Sequence, residues 1–340
     1  MDRSDVTQYD VFRQLRFPMI ILVTFAHSYG GVTEDFSLLS SDWNTYEFLK
    51  LLVSQTLVKV AVPVFFIMSG YLFFANVEKW SLGIYKAKML RRAKTLLLPY
   101  LIWNLMMAVK LKTFSWNMFW VFWDPAGQQI DWFGHEQLMT APANMPLWFL
   151  RDLMVVSLLT PIIYILVKKC GYWLMAVLTA LYLSGVYAFI PGLSAYAVYF
   201  FSFGTFLSIR KMDLIGSLKR FEWPAYLLSL ILAMAMMLTY NTPIFSSIML
   251  CFRLTGAIAV FCLASRILSV TTTRLPSVVC DSAYFIYLAH YVFFFSFIDT
   301  AFFSLFGCSI PALSIHYLLA PLLKAAIFVI AYAIYRKFSQ

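Results

Sequence analysis

Long apolar runs, broken by short polar or basic stretches, dominate this chain and predict its elements. A helix crossing the hydrocarbon core of a bilayer needs about 20 predominantly apolar residues. Runs of that kind recur ten times, at 17–33, 48–74, 96–113, 147–167, 172–190, 196–209, 224–241, 246–265, 279–299 and 314–335. The second is long and the sixth short, so the boundaries are soft. There is no tandem repeat, no low-complexity tract and no stretch polar enough for a soluble domain. The pattern predicts an all-α integral membrane protein, a bundle of about ten transmembrane helices forming a single domain over 1–340 with no soluble accessory domain. The first run is not read as a cleavable signal. Asp2, Arg3, Asp5, Asp10, Arg13 and Arg16 precede it, and no small-residue cleavage pattern follows it.

Composition agrees. The AVILMFWYC residues make up 62% of the 340 and charged residues 12%, whereas a soluble domain carries about 25% charged residues. The mean hydropathy is +0.78. A net charge of +10 would suit nucleic acid, but its placement argues otherwise. Nineteen of the 26 Lys and Arg residues fall in the N-terminus, the C-terminus and alternate loops. The positive-inside rule then puts both termini in the cytoplasm and makes the span count even. The basic excess follows from topology and anionic lipid, without nucleic acid. Cys170, Cys251, Cys262, Cys280 and Cys308 show no CxxC or metal spacing and read as small buried hydrophobes. The outer segment 114–146 carries Trp116, Trp120, Trp123 and Trp132, which read as an interfacial belt, a partly re-entrant lid being the alternative. His135 and Glu136 there have no further ligands nearby, and no metal is expected.

Ionisable residues inside predicted spans are few: His27, Lys59, Arg253, His290 and Lys324, with Asp152, Asp281 and Asp299 near span ends. Such residues are functional candidates because burying them in lipid is costly. No carboxylate falls at a predicted midplane, which weakens a proton-coupled transporter. Buried cations without buried anions suggest a counter-charge that comes from a ligand or a reaction intermediate. Arg16 and His27 lie eleven residues apart, about three helical turns, hence on nearly the same face and about 16 Å apart along the axis. Alone, Arg16 reads as a cytoplasmic anchor and His27 as a helix–helix hydrogen bond; on a shared face they point to a joint role. Pro18 falls near the start of the predicted span, where a missing donor is tolerable.

Five motifs in order resemble the acyltransferase-3 family of membrane acyltransferases. They are Arg16-x10-His27, PVFFIMSGYLF at 63–73, RRAKTLLLPY at 91–100, PLWFLRDL at 146–153, and Ser282-x4-Tyr287-Leu-x-His290. The sequence departs from the family pattern at Thr95, where a second Arg of an Arg-x-x-Arg pair is usual. It departs again at Leu153, where one branch has Glu. The resemblance implies transfer of an acyl group, acetyl by preference, from cytoplasmic acyl-CoA to a hydroxyl of a cell-surface or exported carbohydrate. It also implies a multi-pass protein of the bacterial cytoplasmic (inner) membrane, whose partners are a glycan or lipid-linked sugar and membrane lipid.

Acyl transfer needs a base, a stabilised oxyanion and aligned reactants. His27 is expected to be the base, with an acyl-His27 intermediate as the alternative, and Arg16 its companion on the helix face. Arg91, Arg92, Lys94 and Lys88 are expected to meet the CoA phosphates, an inner-leaflet lipid patch being the competing reading. Candidates for substrate or oxyanion contacts are Lys59, Trp148, Arg151, Arg253, Tyr287, His290 and Lys324. Among these, lysines can snorkel, Trp148 can anchor or stack on a sugar with Arg151 beside it, and Tyr287 and His290 share a helix face. The alternative function is a transporter or flippase of a sugar- or CoA-like anion.

Overall fold

The computed structural model describes residues 6–28, 36, 38, 43–112, 114, 142–185, 192–293 and 295–339. The predicted outer-segment features Trp116, Trp120, Trp123, Trp132, His135 and Glu136 lie outside the described residues. Among the described residues every regular element is helical. Four helices among the described residues are long and apolar enough to cross a membrane: Thr45–Phe74, Thr160–Leu183, Ile244–Val270 and Ile310–Phe338. Large apolar side chains cover their outer surfaces, among them Trp173 and Phe338 at 78% and 84% exposure. A water-soluble monomer does not expose apolar surface on that scale, so these faces belong against lipid.

The chain divides into two compact units, residues 1–61 with 221–340, and residues 62–220. The first contains α1 (Gln8–Ser28), the N-terminal part of α2 (Thr45–Phe74), and five later helices. α1 begins nine residues before the predicted span because Thr7 and Asp10 form a capping box. The Asp10 amide donates to Thr7 Oγ1 at 3.2 Å and the Thr7 amide to Asp10 Oδ2 at 3.1 Å. Pro18 is therefore inside the helix, not at its start. It cannot donate to the carbonyl of Gln14. The Gln14 side chain meanwhile pins α1 to the chain at Leu275, accepting from its amide at 2.8 Å and donating to its carbonyl at 3.3 Å.

Within α2 the helix widens to a π form over Leu51–Thr56 and tightens to 3-10 over Leu57–Val60. Such insertions re-aim side chains and concentrate at functional sites. Ser54, on the π stretch, donates to the Phe25 carbonyl at 3.0 Å and therefore accepts from Tyr317 Oη at 2.7 Å. α9 (Glu222–Leu238) and α10 (Ile244–Val270) follow as a pair. Gly256 of α10 lets the 3-10 stretch approach closely, since a Cβ there would lie 2.5 Å from Val60 Cγ1.

The predicted span 279–299 is not one helix. α11 (Ser277–Ala289) stops at His290, Phe295 adopts φ 46°, and α12 (Ser296–Phe306) starts afresh before α13 (Ile310–Ser339). Beyond the interruption, Asp299 of α12 meets His316 and Lys324 of α13.

The second unit holds the rest of α2, then α3 (Leu82–Arg92), a π turn over Ala93–Leu97, α4 (Leu98–Leu111), α5 (Trp148–Leu158), α6 (Thr160–Leu183), α7 (Ala195–Ile209) and α8 (Leu214–Lys219). The predicted spans 147–167 and 172–190 are re-divided. The break falls at Leu159, where Thr160 and Pro161 open α6; proline suits a first helical turn. α6 then runs unbroken through Lys168 and Lys169. Gly171 is a packing position: a Cβ would lie 2.7 Å from an Arg210 guanidinium nitrogen. The tightest contact joins α2 and α7. A Cβ on Gly70 would lie 2.0 Å from the Phe201 carbonyl oxygen, and one on Gly204 would lie 2.0 Å from the Ile67 carbonyl oxygen. Small residues of this kind let helix backbones meet where lipid supplies no hydrophobic drive.

Gly204→Ala should therefore destabilise the protein by about 1–3 kcal/mol, as overpacking does. Gly83→Ala, whose Cβ would find only Ser81 Oγ at 3.8 Å, should be neutral or stabilising by up to about 1 kcal/mol. Melting temperatures of the two variants in detergent check the contrast, and equal melting temperatures would contradict it.

Candidate active site

His27 closes the last turn of α1. It lines a small cleft, about 330 Å³ with its open mouth included, shared with Thr24 and Ser28 of α1, His290 at the end of α11, and Pro321, Lys324, Ala325 and Phe328 of α13. The Thr24 and Ser28 hydroxyls are turned back on their own helix, donating to the carbonyls of Ile21 at 2.7 Å and Thr24 at 2.6 Å. The polar chemistry facing the cleft is thus two imidazoles and an ammonium. The His27 and His290 rings are 5.5 Å apart at 42°, and Tyr291 meets His27 edge-on at 5.8 Å. Lys59 sits in the 3-10 stretch of the same unit, its Nζ 3.4 Å from Gln55 Oε1 and within electrostatic range of His27.

The helix end fixes the His290 ring. Its Nδ1 lies 2.9 Å from the Tyr287 carbonyl and 3.1 Å from that of Ile286. Carbonyls only accept, so Nδ1 carries the proton. Nε2 is then a buried lone pair with no hydrogen-bond partner among the described residues. Tyr287 lies 6.4 Å from the His290 ring.

Lys324 is not an isolated charge. Its Nζ lies 2.8 and 3.0 Å from the two Asp299 oxygens, and His316 Nε2 meets the same carboxylate at 3.1 Å. Phe302 and Phe303 pack their rings 4.9 and 4.4 Å from His316. Arg151, fully buried in the second unit, is likewise paired, with Asp152 at 3.2 Å, whose other oxygen accepts from Ser194 at 2.8 Å. The expectation of buried cations without anions is corrected for Lys324. Asp152 is adjacent in sequence to its partner, and Asp299 reaches Lys324 because a separate helix carries it there.

The remaining candidates are placed as follows. Arg16 is exposed on α1, below His27 on nearly the same face. Arg253 is buried in α10, one turn before Gly256. Trp148 is buried against Phe149 and Tyr196. On α3, Lys88 Nζ and the Arg92 guanidinium lie over the Phe73 ring at 5.0 and 4.9 Å, while Arg91 and Lys94 are exposed. Burial first, then the Arg92 and Arg91 charges, lower the proton affinity of Lys88. Burial draws Arg92 to about 10, so it stays charged at neutral pH. No group of three or more His, Cys, Asp or Glu residues suited to a metal occurs among the described residues.

An acyltransferase domain of the acyltransferase-3 type matches residues 12–336. The chain belongs to the acyltransferase-3 family. It is also 26% identical over 248 residues to the succinoglycan biosynthesis protein ExoH of Rhizobium meliloti (strain 1021). That match takes in 68% of this chain and 62% of the relative, less than two thirds of its length. No solved structure matches.

The family motifs acquire distinct physical meanings on this fold. The Ser-Gly-Tyr-Leu motif is a packing device, because Gly70 is where α7 touches α2 and Tyr71 Oη donates to the Met212 carbonyl at 3.2 Å. The two histidines of the first and last motifs meet in one cleft. Asp299 and His316 were not singled out as site residues by sequence. His316 is an ionisable residue in an apolar run, which is the criterion that selected His27, and it could have been found that way.

Asp299→Asn should lower stability by about 1 kcal/mol, since it removes the counter-charge of the Lys324 ammonium in a partly exposed pair. Adding Lys324→Met should restore part of that loss. A double-mutant cycle on melting temperatures measures the coupling, and additive effects would mean the pair is not energetically linked.

Proposed function

We propose that the protein is a transmembrane O-acyltransferase that moves an acyl group, acetyl as the first candidate, from cytoplasmic acyl-CoA to a hydroxyl of a cell-surface or exported carbohydrate. The observation that carries this reading is the His27 imidazole in a cleft shared with a second imidazole and the Lys324 ammonium. Membership of the acyltransferase-3 family supports it. The relative's name, a succinoglycan biosynthesis protein, supports a polysaccharide-type acceptor.

In this reading His27 takes the hydroxyl proton as the alkoxide oxygen attacks the thioester carbonyl. A C–O bond forms, the C–S bond breaks, and the proton returns to the departing thiolate. A neutral imidazole suits this exchange. Lys324, aimed by Asp299, offers positive charge for the oxyanion. Arg91, Arg92, Lys94 and Lys88 recognise the CoA phosphates, guanidinium forks being suited to bidentate contacts.

The chain acts as one acyltransferase domain of about ten spans in a bacterial cytoplasmic membrane, with both termini in the cytoplasm. Its shorter apolar helices, Ala195–Ile209, Glu222–Leu238, Ser277–Ala289 and Ser296–Phe306, supply spans beyond the four long ones.

Mass spectrometry of surface glycans from cells with and without the protein should show a lost acyl mass, and His27→Ala should reproduce the loss while the protein remains inserted. Normal acylation by that variant removes His27 from the mechanism. Uptake of an intact anion into liposomes without acyl release would favour transport instead. Neutralising Arg91, Arg92 and Lys94 together should raise the KM for acetyl-CoA roughly 10-fold or more, about 1.4 kcal/mol. An unchanged KM would return the loop to topology alone.

A further inference from the structure

We infer that His290 is the positioning residue of His27: its Nε2 lone pair accepts a ring N–H from His27 and so fixes the tautomer in which the opposite His27 nitrogen is free to take a proton. This rests on the acyl-transfer reading for its consequence, but its geometry does not.

Three observations carry it. The helix ends at Ala289, and His290 Nδ1–H is committed to the carbonyls of Ile286 and Tyr287, so neutral His290 can only be an acceptor at Nε2. That Nε2 is buried with no partner among the described residues, in a residue 9% exposed. A buried polar atom without a partner costs about 1–3 kcal/mol, so it should serve a purpose. Finally, the His27 ring is 5.5 Å away at 42°. This is too far for face-to-face stacking, and it suits rings that meet through their edges after a modest rotation.

A base needs its far nitrogen held as well as its near one freed. A neutral imidazole with two nitrogens interchanges tautomers, and a fixed acceptor removes the unproductive one. The acceptor here is neutral, whereas a carboxylate would place a full negative charge beside the base. The surrounding charges are Lys59 of α2 and Lys324 of α13, the latter balanced by Asp299 of α12, which also meets His316. The phenols Tyr287 and Tyr291 flank the two imidazoles. When His27 gains the hydroxyl proton, its N–H to His290 becomes a charge-assisted bond and strengthens as the transition state forms.

Two substitutions separate this role from a purely structural one. Asn at 290 keeps an N–H near Nδ1 for the helix-end carbonyls and deletes the acceptor. Gln places a carbonyl oxygen near Nε2 and gives up the capping donor. With the full-length protein in detergent and acetyl-CoA as the probe, His290→Asn should lower kcat for thiol release roughly 10- to 100-fold at little change in KM. His290→Gln should recover much of that loss, and the pH–rate profile should shift in the Asn variant alone. If the Gln variant fails to fold, the Asn arm decides by itself.

The chain has only 4 histidines, so imidazole-selective 15N labelling resolves His27 without any donor present. A single fixed His27 tautomer in the wild type, lost in His290→Asn, supports the inference. An unchanged His27 signal together with wild-type kcat in the folded Asn variant overturns it. Absence of thiol release by the wild-type protein would count against the acyl-transfer reading, and the tautomer measurement would still decide the His290 role.

Discussion

A helix that stops in apolar surroundings leaves its last carbonyl groups without donors, and water is not there to take them. The chain meets that constraint at Ala289 by turning the following side chain back onto the helix end. The ring of His290 supplies a donor to the Tyr287 carbonyl and a second one to the Ile286 carbonyl, which also accepts from the His290 amide, and in doing so has its own proton arrangement decided. Past the same interruption Phe295 takes a left-handed conformation and α12 starts afresh at Ser296. Both the Nε2 lone pair beside His27 and the carboxylate of Asp299 beside Lys324 depend on this one broken helix.

Charge is handled with the same economy. Among the described residues, Lys50 with Glu47 at 2.8 Å and Arg151 with Asp152 are buried pairs whose members would be costly in isolation, and Lys324 with Asp299 is a partly exposed one. Paired charges hold geometry more than they add stability, because desolvation offsets much of the attraction. Lys324 gains a fixed direction from two carboxylate contacts, and His316 meets the nearer of those two oxygens in turn. The cleft then presents His27, His290 and an ammonium whose aim is set from behind.

Close backbone contact is the second organising device. Gly70 and Gly204 allow α2 and α7 to touch, and Gly256 admits the 3-10 stretch of α2 against α10. The π and 3-10 segments before Ala61 rotate the positions around Ser54 and Lys59 relative to a regular helix. Ser54 is thereby free to bridge the Phe25 carbonyl and the Tyr317 hydroxyl, tying α1, α2 and α13 together near the cleft.

The helical class, the membrane setting, the family and most polar positions that line the cleft were legible in the sequence. Apolar length, Lys and Arg placement and the Arg16–His27 spacing are local properties, and each residue reports them without reference to distant ones. The start of α1 was legible too, in Thr7 and Asp10, yet the apolar run masked it because capping residues are polar. What the sequence could not determine is which helices end where two apolar runs merge or one run breaks. Residues 160–183 form one helix across two lysines, and the predicted span 279–299 falls to two helices that break after Ala289, and hydropathy marks neither outcome. Only the tertiary structure brought His290 to His27 and Asp299 to Lys324 and His316. Pairings of that kind depend on which helix faces which, and no periodicity within one helix encodes its neighbour.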